Sequence, residues 1–139
     1  TGWIYSEFGN NFVKKILNLA KKNDTLDVVS DQFGTPTYAY DLALSILYIV
    51  GNNKFLENNQ PSEIFHYSNK GESSWFEFAK EIISISGINC QLNPIDTEDY
   101  PLAAKRPKYS VLSKKKVMQE YHLTNQYWKD ALKICLKNL

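Results

Sequence analysis

Arginine is almost missing from this chain: of its sixteen Lys and Arg residues, only Arg106 is an arginine. A guanidinium offers planar, bidentate hydrogen bonding to phosphate or carboxylate, which a compact ammonium cannot copy. Arg106, in the stretch Tyr100-Pro-Leu-Ala-Ala-Lys-Arg-Pro-Lys-Tyr109, is therefore the first anion-site candidate. Glycine is sparse too. The six glycines are scattered, and neither a G-x-G-x-x-G nor a Walker pattern occurs, which excludes a dinucleotide or P-loop phosphate cradle within these 139 residues. None of the nine tyrosines has a lysine four residues on, so no tyrosine-lysine proton donor is encoded. The two cysteines, Cys90 and Cys135, have neither metal-ligand nor disulfide-framework spacing, which fits a reducing cytoplasm. The two histidines, His66 and His122, stand apart with no second His beside either. No serine sits in G-x-S-x-G, and neither Asp31 with Asp41 nor Glu98 with Asp99 defines a catalytic carboxylate pair.

Charge of one sign is also lacking. A formal net charge of +1 gives no broad field for nucleic acid or an anionic membrane. The runs Lys14-Lys15, Lys21-Lys22 and Lys114-Lys115-Lys116 read as solvated helix faces. The longest apolar stretch, Leu42 to Val50, is interrupted by Ser45 and Tyr48 and is too short to span a bilayer. The chain opens at Thr1 with no signal-like region, and is expected to be a piece of something longer or a trimmed product.

What is present is a chain of single-domain size with 43% hydrophobic residues and an aromatic content of 14%. Trp3-Ile4-Tyr5 is a short strand-like run, after which Asn10 or Asn11 caps a helix with Phe12, Val13, Ile16, Leu17 and Ala20 on one stripe. Residues 26–30 read as a strand. Gly34-Thr-Pro-Thr37 then breaks the chain before a second helix expected to turn Ala39, Leu42, Ala43, Ile46, Leu47 and Val50 inward. Residues 63–68 alternate as a strand should, and Ser74-Trp-Phe-Glu77 has capping-box spacing for a helix that buries Phe78, Ala79, Ile82 and Ile83 and ends near Gly87. Residues 90–95 suit an edge strand, because Pro94 removes a donor.

From Asp96 to Leu112 no period is visible, and this loop carries Arg106. Two helices follow, the last capped by Thr124 with Trp128, Ala131, Leu132, Cys135 and Leu136 at helical spacing, which makes Cys135 a core residue. The alternation of strands and helices predicts an α/β fold with parallel pairing. In such folds ligands enter outside the carboxyl ends of the strands, where Trp3 and Gln32 are expected. Trp75 and Trp128 fall at core-compatible helix positions. The remaining chemistry is recognition.

Several ordered segments together resemble the C-terminal half of the dTDP-4-dehydrorhamnose reductases, which are extended short-chain dehydrogenases/reductases. They are Thr1-Gly-Trp-Ile-Tyr5 with Gly9-Asn-Asn-Phe-Val13, Asp31-Gln-Phe-Gly-Thr-Pro-Thr37 with Asp41-Leu-Ala43, Ile64-Phe-His-Tyr-Ser68 with Trp75, and Tyr100-Pro with Arg106-Pro and residues 110–112. The resemblance implies the α/β substrate-binding part of a Rossmann-type fold, spanning 1–139, with the N-terminal NAD(P)-binding domain absent from the chain. It implies a parent enzyme that uses NADPH or NADH to reduce the 4-keto group of dTDP-4-dehydro-L-rhamnose, with its catalytic Tyr and Lys upstream of Thr1 and none in this chain. It places Trp3, Gln32 and Arg106 at the dTDP-sugar, with Arg106 suited to the diphosphate. Some members are Mg-dependent homodimers; a cytoplasmic location, without nucleic-acid or membrane partners, goes with the family. Where the family commonly reads Thr-Ser-Trp, this chain has Thr1-Gly2-Trp3, so a side-chain contact at position 2 is lost. Two other readings share the resemblance: a nucleotide-sugar epimerase or dehydratase, and a non-catalytic partner like the regulatory subunit of methionine adenosyltransferase.

Overall fold

The computed structural model describes residues 1–52, 62–100, 104 and 106–139. Residues 101–103 and 105 of the expected loop therefore lie outside the described residues. Three two-stranded sheets, five α-helices and a short 3-10 helix (Thr97–Asp99) form the regular structure of the described residues. Strand β1 (Ile4–Tyr5) pairs in parallel with β4 (Thr37–Tyr38), and β2 (Thr25–Val29) in parallel with β6 (Gln91–Ile95). The short β3 (Phe33–Gly34) runs antiparallel to β5 (Ser73–Ser74). The helices are α1 (Phe12–Ala20), α2 (Ala39–Val50), α3 (Trp75–Ser86), α4 (Lys115–Tyr121) and α5 (Trp128–Lys137).

Local chemistry accounts for most of these boundaries. Asn11 caps α1 by accepting from the Lys14 N–H at 3.2 Å. Ser74 and Glu77 form the reciprocal capping box of α3, at 3.1 and 2.9 Å, and Gly87 ends that helix at φ 66°, where a side chain would be strained. Pro94 takes its place on β6 as an edge strand. The core forms where α1, α3 and α5 pack over β2 and β4, around Val13, Ile16, Phe78, Ile82, Trp128 and Leu132. Phe78 anchors it, meeting Trp128 edge-on at 5.6 Å and Tyr5 at 5.3 Å.

Four expectations need correction. The α2 residues expected inward are not: Ile46, Leu47 and Val50 are 50, 68 and 48% exposed, and Ser45 is the buried member of that helix. Apolar residues surround α2 on nearly every side, so its pattern marked a face to be covered, and the described residues do not supply the cover. Residues 63–68 form no strand: the alternation is present, but no described strand pairs with it, and Phe65 packs instead on Tyr121. Helix α5 begins after Tyr127, not at Thr124, because the Tyr127 segment first bridges Lys70, with Lys70 N–H donating to Gln126 and Trp128 N–H to Lys70. Lys114 leaves the solvated run and donates to Ser68 Oγ and Asn69 O at 3.2 and 3.3 Å, its pKa lowered by burial.

Candidate functional site

A cleft of about 320 Å³ opens beside the β1–β4 and β3–β5 pairs. Trp3, Gln32 and Arg106, separated by up to 103 positions in sequence, all line it. Gln32 lies past the carboxyl end of β2, where ligand contacts were expected, whereas Trp3 precedes the amino end of β1. Trp3 is no strand residue. Its φ is 53°, an uncommon conformation for an aromatic residue.

The surroundings of Trp3 hold it there. Its carbonyl accepts from the Thr37 N–H at 3.0 Å, and its indole stacks on Trp75 with ring centroids 3.5 Å apart and planes 7° from parallel. Phe12 flanks Trp75 in turn, at 4.6 Å. Gly34 is the third support: a Cβ there would sit 2.6 Å from the Trp3 Nε1, so only glycine leaves room for the ring. Trp75, expected in the core, packs partly against it and also lines the cleft. The capping box contained the signal that could have found it. It makes Trp75 the first helical residue, and helical side chains lean towards the N-terminus, here towards the cleft.

Gln32 is 5% exposed, and its amide nitrogen donates to Thr97 Oγ1 at 3.0 Å. Thr97 donates both its hydroxyl and its N–H to Asp31 Oδ1, at 2.6 and 3.0 Å. The Thr97 hydroxyl bond is the largest influence holding the Asp31 carboxyl below its ordinary pKa. Arg106 is exposed. Beyond it, Phe33 N–H donates to Lys108 O and Ser110 N–H to Phe33 O, both at 2.8 Å, and the Tyr109 hydroxyl donates to Glu72 at 2.8 Å. Thr35, Ser68 and Ser110 add polar groups to the lining, and Leu112 an apolar one.

The cysteines and histidines lie outside the cleft lining. Cys135 is fully buried, and burial pushes its thiol up to about 12. His66 is exposed on the 62–69 segment, and His122 ends α4 in the left-handed region at φ 52°. Among the described residues no group of three His, Cys, Asp or Glu side chains could hold a metal. No strand-to-helix turn among the described residues carries more than one glycine. No helix among the described residues is long and apolar enough to cross a membrane. An aromatic wall, an amide and a lone guanidinium around one cleft can bind and orient a polar, anionic ligand.

The family model described as the RmlD substrate binding domain matches residues 1–139. This chain belongs to that family. It is 37% identical over 135 residues to a dTDP-4-dehydrorhamnose reductase of Sinorhizobium fredii, covering 94% of this chain and 46% of the relative. A dTDP-4-dehydrorhamnose reductase from Clostridium acetobutylicum superposes with a TM-score of 0.89 at 39% identity, over 99% of this chain and 46% of that one. The Bacillus anthracis reductase, solved in complex with NADP, gives 0.82 at 35% identity, over 98% and 45%. This chain therefore has the α/β fold of extended short-chain dehydrogenases/reductases, and it spans about half the length of the relatives it matches.

Proposed function

We propose that this chain is the substrate-binding portion of an NAD(P)H-dependent dTDP-4-dehydrorhamnose reductase, which reduces the 4-keto group of dTDP-4-dehydro-L-rhamnose to give dTDP-L-rhamnose. The observation that carries this reading is the cleft, where Trp3, Gln32 and Arg106 converge with Trp75 in a chain of the RmlD substrate binding domain family. In this reading Arg106 takes the diphosphate through its guanidinium fork, Gln32 accepts a hydrogen bond from the nucleotide sugar, and the paired indoles form the apolar wall on which the sugar is oriented. The proton donor and the dinucleotide site belong to an N-terminal half outside these 139 residues. No magnesium ligands are assigned within the chain.

The exposed apolar surface of α2 fits this division of labour. Tyr40, Leu44, Ile46, Leu47 and Tyr48 are each about half exposed or more, a density better suited to packing against a second domain than to water. We assign that face to the cofactor-binding half of the same polypeptide, in a cytoplasmic enzyme. A homodimer built on it is the competing arrangement, and the mass in solution of the complete protein separates the two.

The test compares the 139-residue chain with the complete protein, each supplied with NADPH and the dTDP-keto sugar. Cofactor oxidation by the complete protein alone is the expected result. Oxidation by the isolated chain would overturn the assignment of the chemistry upstream. Epimerisation without net cofactor consumption would replace the reductase with an epimerase.

A further inference from the structure

Asp31 does not line the cleft, yet it governs a residue that does. A carboxylate can only accept hydrogen bonds, so the Thr97 hydroxyl, 2.6 Å from Asp31 Oδ1, must give its single proton to it. The oxygen of Thr97 is then left as an acceptor, and its neighbour 3.0 Å away, the Gln32 side chain, must present its NH2 group. The amide of Gln32 is thereby turned so that its nitrogen faces Thr97 and its carbonyl oxygen is the end without a protein partner among the described residues. Asparagine and glutamine amides are otherwise free to occupy either of two flipped orientations of nearly equal shape.

We propose that Asp31 is a positioning residue of the cleft, which acts through Thr97 to lock the Gln32 carbonyl oxygen as an acceptor for an N–H or O–H donor of the bound nucleotide sugar. This rests on the proposed function above, since it takes Gln32 as a ligand contact. Asp31 also pairs with Lys108, two residues past Arg106, but that contact is 3.5 Å long and the Lys108 side chain is 79% exposed. Exposed pairs of this kind contribute little, so the effect of Asp31 runs through Thr97 and Gln32 rather than through the Arg106 arm.

Removing Asp31 frees the Thr97 hydroxyl to donate to the Gln32 carbonyl, which stabilises the wrong orientation. The binding-competent fraction falls, and apparent affinity falls with it. In the complete protein, with dTDP as the probe in titration calorimetry, Asp31→Ala is expected to weaken binding by about tenfold, the scale of one hydrogen bond between ligand and protein. Asp31→Asn, whose side-chain oxygen still accepts from Thr97, is expected to restore most of that loss, and Lys108→Ala to change affinity less than about twofold. The deciding readout is the double substitution. On a Gln32→Ala background, Asp31→Ala should cost less than about twofold more, because the group it orients is gone.

The outcomes separate the two readings. If Gln32→Ala binds dTDP as tightly as the unsubstituted protein, the placement of Gln32 at the ligand fails. If Gln32→Ala weakens binding but Asp31→Ala is silent, or the two effects multiply in the double variant, the relay is overturned while the site stands. Thr97→Val breaks the same chain of hydrogen bonds from its middle and is read by the same criteria should Asp31→Ala fail to fold.

Discussion

Replacing Gly34 with alanine tests how firmly the Trp3 indole is held. The residue needs no special backbone angle, and an exchange of glycine for alanine in such a place ordinarily stabilises by about 0.4–1 kcal/mol through the unfolded chain. Here the new methyl would stand 2.6 Å from the Trp3 Nε1 and 2.7 Å from its Cζ2. Carbon contacts settle at about 3.5–4.0 Å, so the ring must shift by about 1 Å. Trp75, stacked on one face of the ring at 3.5 Å, restricts where it can go. Overpacking of this kind costs about 1–3 kcal/mol, and expulsion of the ring would forfeit a stack worth about 0.5–1.5 kcal/mol. Either route outweighs the unfolded-state gain, so the expected net effect is a destabilisation of about 1–2 kcal/mol. Urea unfolding measures it, and near-ultraviolet circular dichroism reports the stacked indole pair directly. Gly2, whose Cβ position meets nothing within 4 Å, is the control: Gly2→Ala should stay within about 0.5 kcal/mol. A Gly34→Ala protein as stable as the original, with an unchanged near-ultraviolet spectrum, would refute the idea that these two rings and one glycine form a locked wall.

Three further outcomes are expected. Arg106→Lys should weaken dTDP binding by about 1.5–3 kcal/mol, the scale of a charge-assisted contact, and leave thymidine nearly untouched; equal losses for both ligands would move Arg106 away from the diphosphate. A neutral-pH thiol reagent should label Cys90 in the native protein and Cys135 only after unfolding, since Cys135 is fully buried with its thiol pushed up to about 12; rapid native labelling of both thiols would contradict the packing of α5. The Asp31 carboxyl, held below its ordinary value of 3.8 chiefly by the Thr97 hydroxyl, contributes stability that is present above that value and lost as pH falls through its lowered folded value. Asp31→Asn should therefore flatten the acid limb of the stability curve below about pH 4; an unchanged acid limb would remove that linkage.

Much of the architecture was legible because its causes are local. The Ser74–Glu77 box, the left-handed Gly87 and the Asn11 cap each satisfy backbone groups within a few residues, so their signatures survive in one dimension. The stripe of α1 and the burial of Cys135 followed from helical spacing alone. The failures share another cause. Alternation along residues 63–68 says which way side chains point and nothing about whether a neighbouring strand exists to accept their hydrogen bonds. The apolar pattern of α2 recorded a hydrophobic surface without recording that the described residues leave it exposed.

Arg106 stood out in the sequence by rarity, while Trp3 and Gln32 stood out by their expected place outside the carboxyl ends of strands, and family membership is written across the whole chain. The tertiary structure alone brought these three residues into one cleft and added Trp75 to it. It also joined Asp31 to Thr97, 66 positions away, and so decided which end of the Gln32 amide faces Thr97. Residue types and local propensities are properties of short segments; the direction of a hydrogen bond between distant loops exists only once the β2–β6 pairing has brought those loops together.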